Sequence, residues 1–361
     1  MPRQLRVALI TEPTGNHLSS LIDALSNDEV GEVALGDETG ETFEQIRASA
    51  GDIVKTTYTD LAKLYTDFAP DVVLVTLESW RTPAVITQAL EAGAHVFHEK
   101  PGFVNIDDYR AVYRLAKSKD LHLAVAYASR MRAIVQEARR IIATGLIGDL
   151  FACQAWFIAD HDRTHNYATL GGGWIFDKQR SGGGHLTFLG CHYLDLLRFL
   201  TGANFATVTS LCQVVGGEPL GVEDAAAVTL GFDNGMVGTL SSGYYVSRSE
   251  YRSARHSGLM VWGRDGWLRF NPGGERTGEP LQWMSQRGVE AESPLKSWTF
   301  DKQDAAIDEY RLLTQAFLRA CLGDEPPPVL PEDGMWVNEC IQAAYVASET
   351  GQRQEVSIPN A

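Results

Sequence analysis

Over the first 125 residues, short apolar β-branched runs alternate with helix-period segments across short connections. That alternation leaves little choice of fold, because parallel strands need helical crossovers and the crossovers then cover both faces of the sheet. The strand runs are 5–11, 32–36, 71–77, 95–98 and 122–127, each bounded by polar residues or by Gly and Pro. Helical patterns fall at 17–25, 42–48, 61–68, 82–92 and 106–118. Asn105 reads as the cap that starts the last of these, and Gly93 as the stop of the one before it. The expectation is an α/β, doubly wound parallel sheet of the Rossmann type.

Beyond Tyr127 the pattern changes. One amphipathic helix (133–144) ends at Gly145, and strands then dominate. Runs 225–232 and 236–245 flank Asp233-Asn234-Gly235, where Asn-Gly predicts a type I′ hairpin turn. A second hairpin is expected around Arg264-Asp265-Gly266. Two late helices, 304–322 and 332–349, are parted by Pro326-Pro327-Pro328, which cannot continue a helix. The chain of 361 residues exceeds what one core supports, so two domains are expected. The first is 1–125; the second, 126–361, is an α+β domain on an open, mostly antiparallel sheet, with the late helices packing back toward the first. An uncovered sheet face calls for a partner copy, hence a homodimer or homotetramer.

A formal charge of −15 with no offsetting basic run argues against nucleic acid and anionic lipid as partners. No stretch reaches the roughly 18 apolar residues of a membrane span. The N-terminus shows no apolar leader or cleavage site, so a cytoplasmic location is expected. Five widely spaced cysteines without a Cys-x-x-Cys pair indicate neither a disulfide framework nor a thiolate zinc site.

In a Rossmann domain the turn after the first strand offers backbone N–H groups to a pyrophosphate. Here it reads Thr11-Glu12-Pro13-Thr14-Gly15-Asn16-His17, with one glycine where the fingerprint has three. Thr11, Gly15 and Asn16 are the candidate contacts. The second strand ends at Gly36-Asp37-Glu38, about 20 residues on, where an acid takes the ribose hydroxyls. Asp37 is the residue chosen, and its charge favours NAD over NADP. Thr76 closes the next long strand, at the edge where open α/β sheets bind ligands.

The run His95-Val96-Phe97-His98-Glu99-Lys100-Pro101 resembles the Glu-Lys-Pro motif of the glucose-fructose oxidoreductase, inositol dehydrogenase and rhizopine-catabolism family, Gfo/Idh/MocA. Three later segments resemble it in order: Met131-Arg132 leading to Thr144-Gly145-Leu146-Ile147-Gly148, then Gly182-Gly183-Gly184, then Gly190-Cys191-His192-Tyr193-Leu194-Asp195. The resemblance implies an NAD-binding first domain, with Glu99 and Lys100 at the cofactor, and Lys100 and His192 as catalytic residues that also meet the substrate. The chemistry suits them, since oxidising a secondary alcohol needs a group to accept the hydroxyl proton while hydride leaves the same carbon. Where dehydrogenases of that family usually carry an aspartate, four residues before the histidine, this chain has Phe188. His185, next to the triple glycine, could supply a polar group instead and becomes a further catalytic and substrate candidate, its alternative being a structural histidine.

Residues 160–167, Asp-His-Asp-Arg-Thr-His-Asn-Tyr, carry side chains that hydrogen-bond sugars. His165, Tyr167 and Trp174 are expected to line a polyol site, the aromatic faces matching the apolar face of a sugar ring. Imidazole and carboxylate are metal ligands as well, but no diagnostic spacing is present and no metal is expected. The reading is an NAD-dependent dehydrogenase of a sugar, inositol or sugar-derived polyol. The alternatives are a redox-neutral glycoside hydrolase or lyase using bound NAD for transient oxidation, and a non-catalytic sensor.

Overall fold

A computed structural model describes residues 3–160, 164–166, 173–246, 255–292, 294–300 and 308–358. They form two compact units, one of residues 3–128 and 308–335, the other of 129–300 and 336–358.

The first unit is built on six parallel strands: β1 (Leu5–Thr11), β2 (Val30–Gly36), β3 (Val54–Tyr58), β4 (Val72–Thr76), β5 (His95–His98) and β6 (Leu123–Val125). Their order is β3-β2-β1-β4-β5-β6, so the chain reverses direction across the sheet between β1 and β4. Val7–Ile10 of β1 and Val72–Val75 of β4 are buried throughout, as strands covered on both faces must be. β3 (Val-Lys-Thr-Thr-Tyr) is absent from the sequence-based set: it pairs only with β2, and an edge strand needs no continuous apolar run. The helix Glu309–Leu322 belongs to this unit and packs on the helix Leu18–Ala24, with Arg319 donating to Glu29 at 2.7 Å.

The second unit carries nine strands. These are β7 (Leu150–Asp160), β8 (Phe205–Gln213), β9 (Ala225–Phe232), β10 (Val237–Val246), β11 (His256–Gly263), β12 (Gly266–Phe270), β13 (Leu281–Ser285), β14 (Leu295–Trp298) and β15 (Gln354–Glu355). The order is β14-β13-β12-β11-β7-β10-β9-β8-β15, antiparallel except where β10 runs parallel to β7. Register divides the sheet into two faces. On one, Val208, Leu230, Val261 and Leu268 are buried. On the other, Leu211, Ala227, Ser241, Trp156 and Gly258 form one row across five strands. Trp156 lies over Gly258, where a Cβ would come within 2.0 Å of the indole.

The hairpin at Asp233-Asn234-Gly235 forms, but not as a type I′ turn. Type I′ needs positive φ at both central residues; here only Gly235 has it (φ 85°). Gly235 N–H donates to Phe232 O at 3.0 Å and Phe232 N–H to Met236 O at 2.9 Å, a three-residue connection with glycine in the left-handed position. Arg264-Asp265 links β11 and β12, with Gly263 opposite Gly266.

Candidate active site

In the first unit the loops after β1, β2, β4 and β5 gather at the C-terminal edge of the sheet. The turn after β1 holds itself closed. Gly15 N–H donates to Glu12 O at 2.9 Å, so this amide is not offered to a phosphate. Gly15 is needed for close approach instead: a Cβ there would lie 2.7 Å from Thr11 Oγ1 and 2.8 Å from the Thr76 carbonyl. Thr11 Oγ1 donates to Glu12 O at 3.3 Å, and Thr76 Oγ1 to Asn16 O at 2.6 Å. Of the residues expected to contact a dinucleotide here, Thr11, Gly15, Asn16 and Thr76 thus brace one another.

Asp37 is buried, and its carboxylate accepts four hydrogen bonds from its own loop. Thr39 N and Oγ1 donate to Oδ1 at 2.9 and 2.8 Å, Thr42 N and Oγ1 to Oδ2 at 3.0 and 2.8 Å. A carboxylate has about four acceptor sites, and all are used. Burial alone would push this carboxyl up; the bonds from Thr42 and Thr39 outweigh it and hold it below the usual carboxylate range. Asp37 thus shapes the loop that follows β2.

Next to it lies an ion cluster that sequence reading missed. Arg81, just before the helix Thr82–Glu91, donates to Glu12 with one terminal nitrogen and to Glu38 with the other. Glu12 is buried and accepts the Glu78 N–H. Glu78 in turn takes Thr14 Oγ1 at 3.0 Å and Trp80 Nε1 at 2.8 Å. The loops after β1, β2 and β4 are joined through this one guanidinium. The only local signal was an unpaired-looking acid inside the glycine turn.

At the end of β5, Lys100 is 2% exposed, which is rare for an ammonium. Glu99 Oε2 accepts the Lys100 N–H at 3.3 Å and lies 3.2 Å from His17 Nδ1. Its Oε1 is buried with no hydrogen-bond partner among the described residues. A buried carboxylate oxygen left over at a ligand-binding edge fits a hydroxyl donor such as a cofactor ribose. The adjoining His98 is wholly buried, and desolvation lowers its pKa to about 4, so it stays neutral.

In the second unit Gly182-Gly183-Gly184 serves packing. A Cβ on Gly183 would sit 2.1 Å from the Tyr345 hydroxyl, and one on Gly184 1.8 Å from Glu223 O. Glu223 Oε2 accepts the Gly184 N–H at 2.8 Å, and Oε1 accepts Leu186 N–H at 3.0 Å and Tyr345 OH at 2.9 Å. Burial pushes this carboxyl above the usual range, although those donors oppose it. Gly182, Gly183, Glu223 and Tyr345 border a cavity of about 250 Å³ with Cys212, Lys178 and Glu349; His192 and Trp174 are not among its walls.

A π-turn at Leu186–Gly190 leads into the helix Cys191–Thr201. His192 is on the first turn of that helix and half-buried. Asp195 accepts both arms of Arg130, at 2.9 and 2.5 Å, so it anchors an arginine. His185 is fully buried, its Nδ1 2.5 Å from Ser242 Oγ and its ring edge-on to Tyr244 and Phe157. These are the contacts of a histidine enclosed in the core of the second unit. Phe188 is buried against Trp174, itself 5% exposed, so Trp174 packs in the core. His165 Nδ1 lies 2.9 Å from Glu218 Oε1. Tyr167, His161 and Asp162 lie outside the described residues. No group of three or more His, Cys, Asp or Glu suited to a metal occurs among the described residues, and no helix among them is long and apolar enough to cross a membrane.

Comparison with known proteins follows the same division. The model of the Gfo/Idh/MocA oxidoreductase family's NAD-binding Rossmann fold matches residues 5–127, and that of its C-terminal domain matches 135–269. A 1,5-anhydro-D-fructose reductase of Ensifer adhaerens is 26% identical over 268 residues, 74% of each chain. A D-xylose 1-dehydrogenase (NADP(+)) of Haloferax volcanii is 24% identical over 340 residues, 92% of this chain and 90% of that one. An oxidoreductase from Agrobacterium radiobacter, crystallised with NAD+, L-tartaric acid and magnesium, superposes with a TM-score of 0.80 at 20% identity, covering 98% of both chains.

Proposed function

The chain belongs to the Gfo/Idh/MocA family of NAD-binding oxidoreductases, and we propose that it oxidises a secondary hydroxyl of a sugar, inositol or sugar-derived polyol with NAD. The observation that carries the reading is the buried Lys100 side chain, next in sequence to the buried Glu99, at the C-terminal edge of the NAD-binding sheet. The relatives named above, a reductase of 1,5-anhydro-D-fructose and a D-xylose dehydrogenase, support a carbohydrate substrate.

When bound, the nicotinamide supplies a hydride acceptor. Glu99, with one oxygen uncommitted, holds a cofactor hydroxyl. Lys100 stabilises the alkoxide that develops as the hydroxyl loses its proton, and its effect is large because burial removes screening by water. His192 accepts that proton, as an imidazole suited to neutral pH does. The buried Phe188 carries no carboxylate to assist, so the lysine and this histidine share the proton handling without one. His165, which already faces Glu218, and Tyr167 are the polar groups proposed to read substrate hydroxyls. The open sheet face supports a homodimer or homotetramer, and a cytoplasmic enzyme is proposed.

The test is absorbance at 340 nm with NAD and a panel of aldoses, inositols and aldonic derivatives. At least one should yield NADH, and Lys100→Met should reduce turnover by about 10²-fold or more. Glycoside cleavage with no NADH accumulating would overturn the reading in favour of redox-neutral chemistry.

A further inference from the structure

We propose that His98 is a positioning residue, its imidazole holding the peptide between Glu99 and Lys100 in the orientation that aims both side chains; the inference rests on the oxidoreductase reading above. Strand β5 is tied to its neighbours as far as the Glu99 N–H, which donates to Val75 O at 2.9 Å, and the His98 carbonyl, which accepts the Ala126 N–H at 2.9 Å. The next peptide lies beyond the ladder and is gripped at both ends instead. Its carbonyl, Glu99 O, lies 2.8 Å from His98 Nδ1, and its N–H, that of Lys100, donates to Glu99 Oε2 at 3.3 Å. A carbonyl can only accept, so Nδ1 carries the proton of the neutral ring. The turn then closes over the imidazole at Gly102, which has φ 76° and where a Cβ would lie 2.6 Å from Nδ1.

Around the ring the packing is aromatic. His98 is 0% exposed, and Phe103 and Tyr109 pack on it in T-shaped geometry, with centroids 5.3 and 6.2 Å away. With the proton on Nδ1, Nε2 is a lone-pair acceptor, buried and without a hydrogen-bond partner among the described residues. Stability gives no reason for a histidine in such a place. An apolar side chain of similar size would strand the Glu99 carbonyl but relieve Nε2, so one unsatisfied buried group is exchanged for another. What an apolar residue cannot supply is the bond itself. That bond falls on the peptide whose rotation would swing the Glu99 carboxylate and the Lys100 side chain away from their places at the sheet edge. Misplacing a reacting group by about 1 Å costs on the order of 10²-fold in rate.

The experiment compares the wild-type chain with His98→Leu, His98→Asn and His98→Gln in urea unfolding, NAD calorimetry and steady-state turnover of a polyol. The amide nitrogen of asparagine stands as many bonds from Cα as Nδ1 does, and that of glutamine as many as Nε2, so the first reaches the Glu99 carbonyl and the second does not. His98→Leu should keep a urea midpoint close to the wild type's. Its kcat should nevertheless fall about tenfold or more with the polyol KM within about threefold, and NAD should bind about fivefold or more weaker as Glu99 loses its direction. His98→Asn should return kcat and the NAD constant to within about threefold of wild type, and His98→Gln should behave as His98→Leu. A leucine variant with wild-type kcat and NAD affinity, a glutamine variant as good as the asparagine one, or activity that merely follows stability across the three each overturns the proposal while leaving the oxidoreductase reading standing. If His98→Leu fails to fold, the asparagine and glutamine variants decide by themselves. Calorimetry needs no turnover, so if no polyol yields NADH the proposed reaction falls and the NAD constants still decide the role of His98. A folded wild type that neither binds NAD nor turns over a polyol overturns both.

Discussion

Asp37 and Glu38 are neighbours in sequence, yet the fold gives them opposite work. Asp37 collects two backbone N–H groups and two hydroxyls, whereas Glu38 stays exposed on Arg81. Because the folded carboxyl of Asp37 is held below its ordinary value of 3.8, the folded state favours its charged form. Its contribution to stability is present above that value and is lost as pH falls through the lower folded value. Asp37→Asn should therefore cost about 1.5–3 kcal/mol at pH 7, the range for hydrogen bonds to a charged acceptor. The difference from wild type should narrow below pH 3.8 and close only below the folded value, and urea unfolding at pH 7 and at the most acid pH where the chain still folds reads both. An equal loss at both pH values would mean the loop depends on shape, not on charge. Which acid was saturated could not be read from Gly-Asp-Glu-Thr, because it depends on how Thr39 and Thr42 fold back over it.

Among the elements, the triple glycine shows how a motif can be recognised in sequence for the wrong reason. It marked a family segment correctly, but Gly183 and Gly184 are required by Tyr345 and Glu223, which arrive from 39 residues and farther along the chain. Gly184→Ala would press a methyl group onto the Glu223 carbonyl, and it should destabilise the second unit by about 1–3 kcal/mol, as overpacking does. Tyr345→Phe removes one hydrogen bond to a buried carboxylate while keeping the ring, at a cost of about 1–3 kcal/mol. Chemical denaturation of both variants checks this, and near-wild-type midpoints would show that the network can relax. Strands β1, β5 and β9 were legible to the residue because each is a bounded apolar run. β3 was not, since an edge strand with alternating polar residues carries little apolar signal. The turn type at Asn234-Gly235 was misjudged because loop length, set by where β9 and β10 pair, selects the turn.

For the whole molecule, the second sheet has one buried face and one open face. The open face carries Leu211, Ala227, Ser241, Trp156 and Gly258 in one row, and Thr209, Thr229, Thr239, Gln154 and Met260 in the next. Across these five strands neither row contains a charged side chain, the first charge being Arg269 opposite Met260 on β12, which suits contact with another copy of the chain. Sedimentation at micromolar concentration should give a dimer or tetramer, and Ser241→Arg should shift it toward monomer by placing an unpaired charge in the packed row. A monomeric wild type would discard the interface. Local pattern alone determined the β/α alternation, the change to hairpins after residue 127 and the Glu-Lys-Pro segment, because periodicity and turn chemistry act between near neighbours. Tertiary structure alone decided that Arg81 meets acids 69 and 43 residues away, that His185 is enclosed in the core, and that Asp37 has no acceptor left. Charge pairing and burial depend on which loops the sheet brings to one edge, and the spacing of residues along the chain does not encode that.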